Sequence, residues 1–253
     1  MKIVLSPAKS LDFETALPLQ KHTKPIFLDE AKEIQHELKN QSPEDLSKLM
    51  SISQKLADLN WQRNQDRKFK TKISETSRQA IFTLDGDVYK GLDAYSMSEE
   101  KLLGLQDSLR ILSGLYGILR PLDVMEAYRL EMGISLPVGH NKNLYEFWKP
   151  RIVAALNKEL KKDELFINLA SVEYFSAIDT KAVKVPVIKP EFKDYKNGEL
   201  KIVSFYAKKA RGMMVRFIAD TNAQSIDDLK HFDYDGYGFG SKLSTDTDLI
   251  FTR

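Results

Sequence analysis

The chain contains no cysteine among its 253 residues, so its fold cannot depend on disulfide bridges or on metals held by thiolates. A chain of this length buries roughly 70–75% of the surface of its unfolded state, so a hydrophobic core is sufficient to hold it. The hydrophobic share of 42% is normal for such a core. The absence of thiols also excludes iron–sulfur clusters and every mechanism with a cysteine nucleophile.

No internal repeat, low-complexity tract or long linker divides the sequence, which predicts a single domain over residues 1–253. No apolar run approaches the roughly 18 residues of a membrane span, and the N-terminus lacks the apolar region of a signal peptide. We therefore expect a cytoplasmic protein without a membrane partner. The net charge of +2 is nearly neutral, so any nucleic-acid site must depend on a local arrangement of charge.

Segments with strand and helix patterns alternate along the chain. The predicted strands are residues 2–5, 110–113, 165–170, 184–189, 199–205 and 249–252. The predicted helices are residues 29–40, a helix capped by Ser42, 53–63, 98–106, 143–160 with a disturbance at Pro150, 206–220, and a short helix capped by Ser225. Asn197-Gly198 predicts a hairpin turn, which adds antiparallel pairing. The expected class is mixed α+β, with a mixed sheet, surrounding helices and a helix-hairpin-helix-like unit.

The helix predicted at residues 206–220 carries four cations within an arc of roughly 160°. These cations are Lys208, Lys209, Arg211 and Arg216, and no acidic residue stands between residues 201 and 217. A solvated face is one interpretation, but such a face usually has an anionic partner, either internal carboxylates or an external phosphate. We favour phosphate, because Gly212 allows a close approach of the backbone.

Residues 46–59 have the spacing of a helix-hairpin-helix, the module that grips the backbone of a nucleic-acid duplex. In that module, amides at a helix N-terminus point at a phosphate. Here Ser51 and Ser53 replace the usual glycines, and Lys55 supplies charge. An ordinary helix packing unit is the alternative.

Arg67, Lys68, Lys70 and Lys72 form a further basic run just downstream. A run of this kind is typical of a solvated surface.

Two further segments have the features of ligand sites. A predicted strand carries Asn168 and meets a helix start at Ser171, and strand ends that face helix N-termini gather ligands in α/β folds. Asp85 and Asp87 could bind a metal or act as an acid and a base, but a turn before a helix explains Asp85-Gly86-Asp87 better. The four histidines have no pair at helical metal-binding spacing, so we predict no metal site and no cofactor.

Several long motifs together resemble the YaaA family of bacterial peroxide-stress proteins. They are Ser6-Pro7-Ala8-Lys9, Gly86-Asp87-Val88-Tyr89, and residues 112–123, 128–133, 167–175 and 204–212. The resemblance implies a cytosolic protein that confers hydrogen-peroxide resistance and keeps free iron low. It also implies DNA binding through a single-domain α/β fold with a basic cleft and a helix-hairpin-helix.

The same motifs are rich in polar residues of mixed type, which backbone binding alone does not require. They are Lys9, Asp87, Tyr89, Tyr116, Arg120, Arg129, Glu131, Asn168, Ser171 and Glu173. Acids and bases in one cleft are typical of a small-molecule site, so the alternative is an enzyme acting on a nucleotide, nucleobase or other small phosphorylated ligand. Direct iron binding by carboxylates and tyrosines is a third hypothesis.

The sequence thus predicts a monomer that binds double-stranded DNA without sequence preference, with a small anionic ligand as an alternative partner. Phosphates would be contacted by Lys208, Lys209, Arg211 and Arg216, and a second backbone segment by Ser51, Ser53 and Lys55. Arg120 and Arg129 would line the cleft. Whether the protein is also an enzyme stays open at this point.

Overall fold

A computed structural model describes all residues, 1–253. The strands are β1 (Lys2–Leu5), β2 (Ser10–Leu11), β3 (Ser77–Gln79), β4 (Leu84–Asp85), β5 (Leu109–Ser113), β6 (Gly117–Leu119), β7 (Val124–Glu126), β8 (Phe166–Leu169), β9 (Val187–Lys196), β10 (Glu199–Lys201), β11 (Gly238–Phe239) and β12 (Asp248–Thr252). The helices are α1 (Leu28–Lys39), α2 (Pro43–Met50), α3 (Gln54–Asp66), α4 (Ala80–Thr83), α5 (Asp87–Leu92), α6 (Glu99–Ser108), α7 (Leu144–Glu159), α8 (Val172–Phe175), α9 (Ser204–Thr221) and α10 (Ile226–Lys230). Short 3-10 helices cover Ala94–Ser96, Tyr234–Gly236 and Ser241–Leu243.

The main sheet has eight strands in the order β11-β12-β9-β8-β1-β5-β6, with β10 beside β9. The five central strands β12, β9, β8, β1 and β5 run parallel, whereas β6, β10 and β11 pair antiparallel at the margins. Two small antiparallel pairs, β2 with β4 and β3 with β7, lie apart from this sheet. The mixed α+β class is confirmed.

The strands at the centre of the sheet are covered on both faces. Every residue of β5 and β8 is buried, as are Ile3, Val4 and Leu5 of β1. Such buried, mainly apolar strands are characteristic of parallel sheets with helices on both sides. Their apolar residues belong to one core of 67 buried residues that also includes residues of β12.

The local signals of the sequence are confirmed where they depend on neighbouring residues. Ser42 and Asp45 form a reciprocal capping box at the start of α2. Asn197 and Gly198 adopt φ values of 56° and 79° and join β9 to β10. Ser225 caps α10 through the amide of Asp228.

The helix expected at 143–160 is confirmed as α7, which continues through Pro150. Two predicted strand boundaries are wrong. The strand expected at 184–189 instead spans β9, whose length follows from its parallel pairing with β12. The strand expected at 199–205 ends at Lys201, because α9 already begins at Ser204.

Helices α5 and α9 cross in direct backbone contact. A Cβ atom at Gly91 would overlap the carbonyl oxygen of Lys209, and a Cβ atom at Gly212 would overlap that of Val88. Gly212 therefore does allow a close approach, but the approaching group is the backbone of α5 and not a phosphate. This contact fixes α9 against the helix that begins beside Ala8, since a Cβ atom at Gly86 would lie 3.2 Å from the Cβ of Ala8.

None of the helices combines the length and the apolarity that crossing a lipid bilayer requires.

Candidate functional site at the carboxyl edge of the sheet

The chain reverses its direction of winding between β1 and β8. From β1 it passes to β5 on one side, and it then crosses back to β8 on the other side before continuing to β9. In open parallel sheets, ligands bind outside the carboxyl ends of the two strands that flank such a reversal. Here Ser6 follows β1 directly, and Ser171 lies two residues after β8.

Ser6 and Ser171 join the two strand ends. The Ser171 amide donates to the Ser6 Oγ atom at 2.8 Å, and the Ser6 hydroxyl donates to the Ser171 Oγ atom at 3.2 Å. Ser171 occupies the N-cap position of α8, but its side chain caps no backbone amide of that helix. Tyr89 of α5 donates its hydroxyl to the Ser6 carbonyl at 3.0 Å, and burial raises the pKa of this tyrosine well above its usual value. The loop after β1 is therefore held from two sides.

Glu131 lies at the same edge between two cations. Its Oε1 atom accepts from Arg129 Nε at 3.2 Å, and it lies 3.0 Å from Arg129 Nη2 and 3.1 Å from Lys9 Nζ. The residue is only 8% exposed, and its Oε2 atom is buried without a hydrogen-bond partner. Burying a charged oxygen without a partner is costly, so this atom is free to accept a hydrogen bond from a ligand or from water.

The segment that carries Glu131 crosses the carboxyl end of β5. Gly114 has no room for a side chain, because a Cβ atom there would overlap the Leu130 carbonyl oxygen. Tyr128 and Ser113 share a hydrogen bond of 2.7 Å, and burial raises the pKa of Tyr128. Three of the predicted cleft residues, Lys9, Arg129 and Glu131, are thus brought together.

Three further residues predicted for the cleft lie on α8, β8 and α5. Glu173 at the start of α8 accepts from the Gly133 amide at 3.1 Å, which ties α8 to the segment that carries Glu131. Asn168 is buried in β8 and accepts from the Ala170 amide. Asp87 is the first residue of α5, which confirms the turn before a helix at Asp85-Gly86-Asp87.

Arg211 of α9 shares a cavity of about 620 Å³ with Asn168 of β8. Burial lowers the pKa of Arg211, and the nearby Glu191 carboxylate opposes this shift. Sequence spacing alone could not show that these two residues, 43 positions apart (211 − 168), meet at one cavity.

Arg120 and Tyr116 do not join this group. Because β6 is antiparallel to β5 and Leu119 pairs with Ile111, Arg120 lies towards the amino edge, opposite to Lys9. There its guanidinium binds the fully buried Asp123 at 2.9 Å, whose pKa burial raises. Tyr116 is itself buried and accepts from the Glu126 amide. The expectation that Arg120 and Arg129 line one cleft is therefore wrong, as is the placement of Tyr116 on a cleft wall.

Two of the four cations of α9 have internal acidic partners. Arg216 binds Asp220 at 2.8 Å and lies 3.6 Å from Asp93, and Lys209 lies 3.6 Å from Asp235. Asp220 lies four residues after Arg216 within α9, whereas Asp93 and Asp235 come from distant segments that the sequence of the helix cannot reveal. The third cation, Arg211, is half-buried near Glu191. Of the four cations, only Lys208 is exposed without an ion pair.

The turn between α2 and α3 contains the two serines that the helix-hairpin-helix spacing singled out. Ser51 adopts the left-handed conformation with φ of 51°, which glycine usually supplies, and Ser53 is extended. No side chain caps the first turn of α3, and the hydroxyls of Ser51 and Ser53 make no hydrogen bond within the chain. Lys55 is exposed and unpaired beside them. Ser51 thus adopts the positive φ that a glycine usually adopts at this position of a helix-hairpin-helix.

No group of three or more histidine, aspartate or glutamate side chains is arranged to hold a metal ion.

Comparison with known proteins gives the same family along the whole chain. A family model described as "Peroxide stress protein YaaA" matches residues 1–243. A UPF0246 protein of Flavobacterium johnsoniae is 65% identical, and one of Flavobacterium psychrophilum is 59% identical, each over 100% of both chains. A UPF0246 protein of Alteromonas mediterranea is 48% identical over 100% of this chain and 98% of the relative. The resemblance found in the motifs is confirmed.

Proposed function

Because this chain belongs to the peroxide stress protein YaaA family, we propose that it serves the peroxide-stress response by binding the backbone of double-stranded DNA. Binding would be independent of sequence, and the bound protein, a monomer, would limit oxidative damage to DNA. Help in keeping free iron low is part of the same proposal. With no cysteine in the chain, such protection cannot pass through a thiol.

The observation that carries the proposal is the hairpin between α2 and α3. The uncapped start of α3 leaves the backbone amides of its first turn free at an exposed position, whereas the amides of Ser51 and Ile52 donate to carbonyls of α2. Amides at a helix N-terminus bind phosphate through direct hydrogen bonds and the helix dipole. Lys55 adds a positive charge within the first turn of α3, and Lys208 supplies an unpaired cation on α9.

The test is the affinity for a duplex of about 20 base pairs, measured by fluorescence anisotropy. We expect Lys55→Ala to weaken binding, and a Ser51→Pro change to weaken it further, since proline cannot adopt a positive φ. Lys162→Ala is the matched control, because Lys162 is also exposed and unpaired but lies in the loop before β8, at the amino edge of the sheet. Equal affinities for Lys55→Ala and the unmodified protein would count against the hairpin.

A second candidate function rests on Glu131. A buried carboxylate with two cations on one oxygen and a vacant second oxygen is better suited to a small polar ligand than to a duplex. In this alternative, a nucleotide or another small phosphorylated molecule binds at the ends of β1 and β8, with Arg129 and Lys9 facing its anionic group and Glu131 accepting a proton. The effect of Glu131→Gln on DNA affinity and on peroxide survival separates the two functions.

A further inference from the structure

A second cavity, of about 490 Å³, lies beside the C-terminal half of α3, lined by a different set of residues. Four of its lining residues are cations, Arg63, Arg67, Lys68 and Lys70, and three are carboxylates, Asp66, Glu75 and Glu126. Arg67, Lys68 and Lys70 belong to the basic run for which the sequence predicts a solvated surface. The structure corrects that expectation for Arg67, which is only 4% exposed.

None of the four cations forms an ion pair. The carboxylate of Glu126, which also lines the cavity, instead accepts from the backbone amides of Lys68 at 3.2 Å and Lys70 at 3.1 Å. The Lys70 ammonium donates to the neutral hydroxyl of Thr76 at 2.7 Å. The positive charges around this cavity are therefore left without a carboxylate at contact distance.

Arg67 is the buried centre of this group. Its guanidinium donates to the Asn64 side chain at 3.1 Å and to the Ala127 carbonyl at 2.8 Å, but its Nε atom is buried without an acceptor. Burial lowers the pKa of Arg67, and the neighbouring Tyr116 and Glu126 oppose this shift. Removing a guanidinium from water is unfavourable unless an anion compensates it at close range. Glu126 opposes the pKa shift without contacting the guanidinium, and an anionic ligand would compensate the positive charge of Arg67 at close range.

The cavity also has an apolar side. Phe13 and Leu59 contribute apolar surface to its lining. Its volume lies in the range of small-molecule sites, roughly 300–1,000 Å³, and is far too small to admit a duplex.

We propose that this cavity binds a small organic phosphate, with Arg63, Arg67 and Lys70 around the phosphate and the apolar wall against the organic body. The guanidinium groups of Arg63 and Arg67 and the ammonium of Lys70 present several donors, which the three oxygens of a phosphate monoester use more fully than the two oxygens of a carboxylate. The site goes beyond the DNA-binding proposal, since it needs neither the hairpin nor α9.

Titration calorimetry of the full chain with three probes tests the proposal: AMP, adenosine and inorganic phosphate. AMP should bind saturably, inorganic phosphate more weakly because it lacks the organic body, and adenosine not at all. Arg63→Gln and Lys70→Gln should each weaken AMP binding at least tenfold. Lys72→Gln is the matched control, because Lys72 is exposed, belongs to the same basic run and does not line the cavity. Its AMP affinity should be unchanged.

Three results would overturn the proposal: no saturable AMP binding, adenosine binding as tightly as AMP, or an equal loss of affinity in Lys72→Gln. A duplex competitor distinguishes this site from the DNA interface. If the duplex displaces AMP, the cavity is part of that interface and the separate site is wrong. If Arg63→Gln fails to fold, as judged by circular dichroism, the Lys70→Gln result decides, since Lys70 lies outside the helix.

Discussion

Gly212 of α9 packs directly on Val88 of α5, with no space between the two backbones for even a methyl group. Because both partners are backbone atoms, a side chain at position 212 would have to separate the helices. We expect Gly212→Ala to lower the free energy of unfolding by about 1–3 kcal/mol or more, which is typical of overpacking in a tight core. Urea denaturation followed by circular dichroism measures this loss.

Gly104 of α6 provides the control for that prediction. A Cβ atom there would meet nothing within 4 Å, so alanine adds no clash and removes the entropic cost of glycine in a helix. Gly104→Ala should raise stability by up to about 1 kcal/mol. If the Gly212→Ala and Gly104→Ala proteins unfold at the same urea concentration, the close crossing of α5 and α9 is refuted.

Asp12 should make the fold sensitive to acid. Partial burial acts to raise its pKa, but hydrogen bonds from Thr15, Glu14 and Tyr95 outweigh that effect and lower the pKa from 3.8 to about 2. Between these two values the unfolded chain binds more protons than the native state, so stability falls as the pH falls from about 4 to about 2. The Asp12→Asn protein should lose less stability over this interval, as judged by urea midpoints at several pH values.

Asp233→Asn serves as the control for acid sensitivity, because Asp233 is exposed and its side chain makes no hydrogen bond. Its stability should fall with pH as in the unmodified protein. An equally steep fall in Asp12→Asn would show that the hydrogen bonds around Asp12 do not contribute.

Arg216 should matter for stability more than Lys208 does. It links α9 to Asp93 and Ser96 and binds Asp220 within the same helix, whereas Lys208 is exposed and unpaired. We expect Arg216→Ala to lower the free energy of unfolding by about 1 kcal/mol and Lys208→Ala to leave it unchanged. Thermal unfolding of both variants decides, and equal melting temperatures would contradict a structural role for Arg216.

Glu131→Gln distinguishes the two candidate functions. Under the small-ligand alternative, cells that carry this variant lose peroxide resistance, while the DNA affinity of the purified protein is retained or increased through the loss of one negative charge. Full resistance in such cells would remove the best candidate residue of that alternative. A folded protein, shown by an unchanged melting profile, is required for either conclusion.

Features within one segment were the most predictable from the sequence. The Ser42 cap and the Asn197-Gly198 turn depend on residues two or three positions apart, and both were correctly predicted. The pairing of β9 with β12 joins distant segments, and nothing in either strand specifies its partner.

The same distinction applies to the candidate site. Lys9 and Glu131 were both singled out by their motifs, but their contact spans 122 positions (131 − 9) and could be seen only in the fold. Arg120 was placed wrongly, because the sequence does not show that β6 turns back along β5. The burial of Arg67 was missed for a related reason, since a basic run has no periodicity that marks one member as internal.

The salt dependence of duplex binding tests the central claim most directly. The affinity is measured over a range of salt concentrations for the unmodified protein, for Lys55→Ala/Lys208→Ala, and for the control pair Lys161→Ala/Lys162→Ala. Each phosphate contact contributes about 0.9 to the slope of log affinity against log salt concentration, so loss of two contacts should flatten the slope by ~1.8. The control pair should keep the original slope. An unchanged slope and affinity in Lys55→Ala/Lys208→Ala would contradict DNA binding through the hairpin and α9.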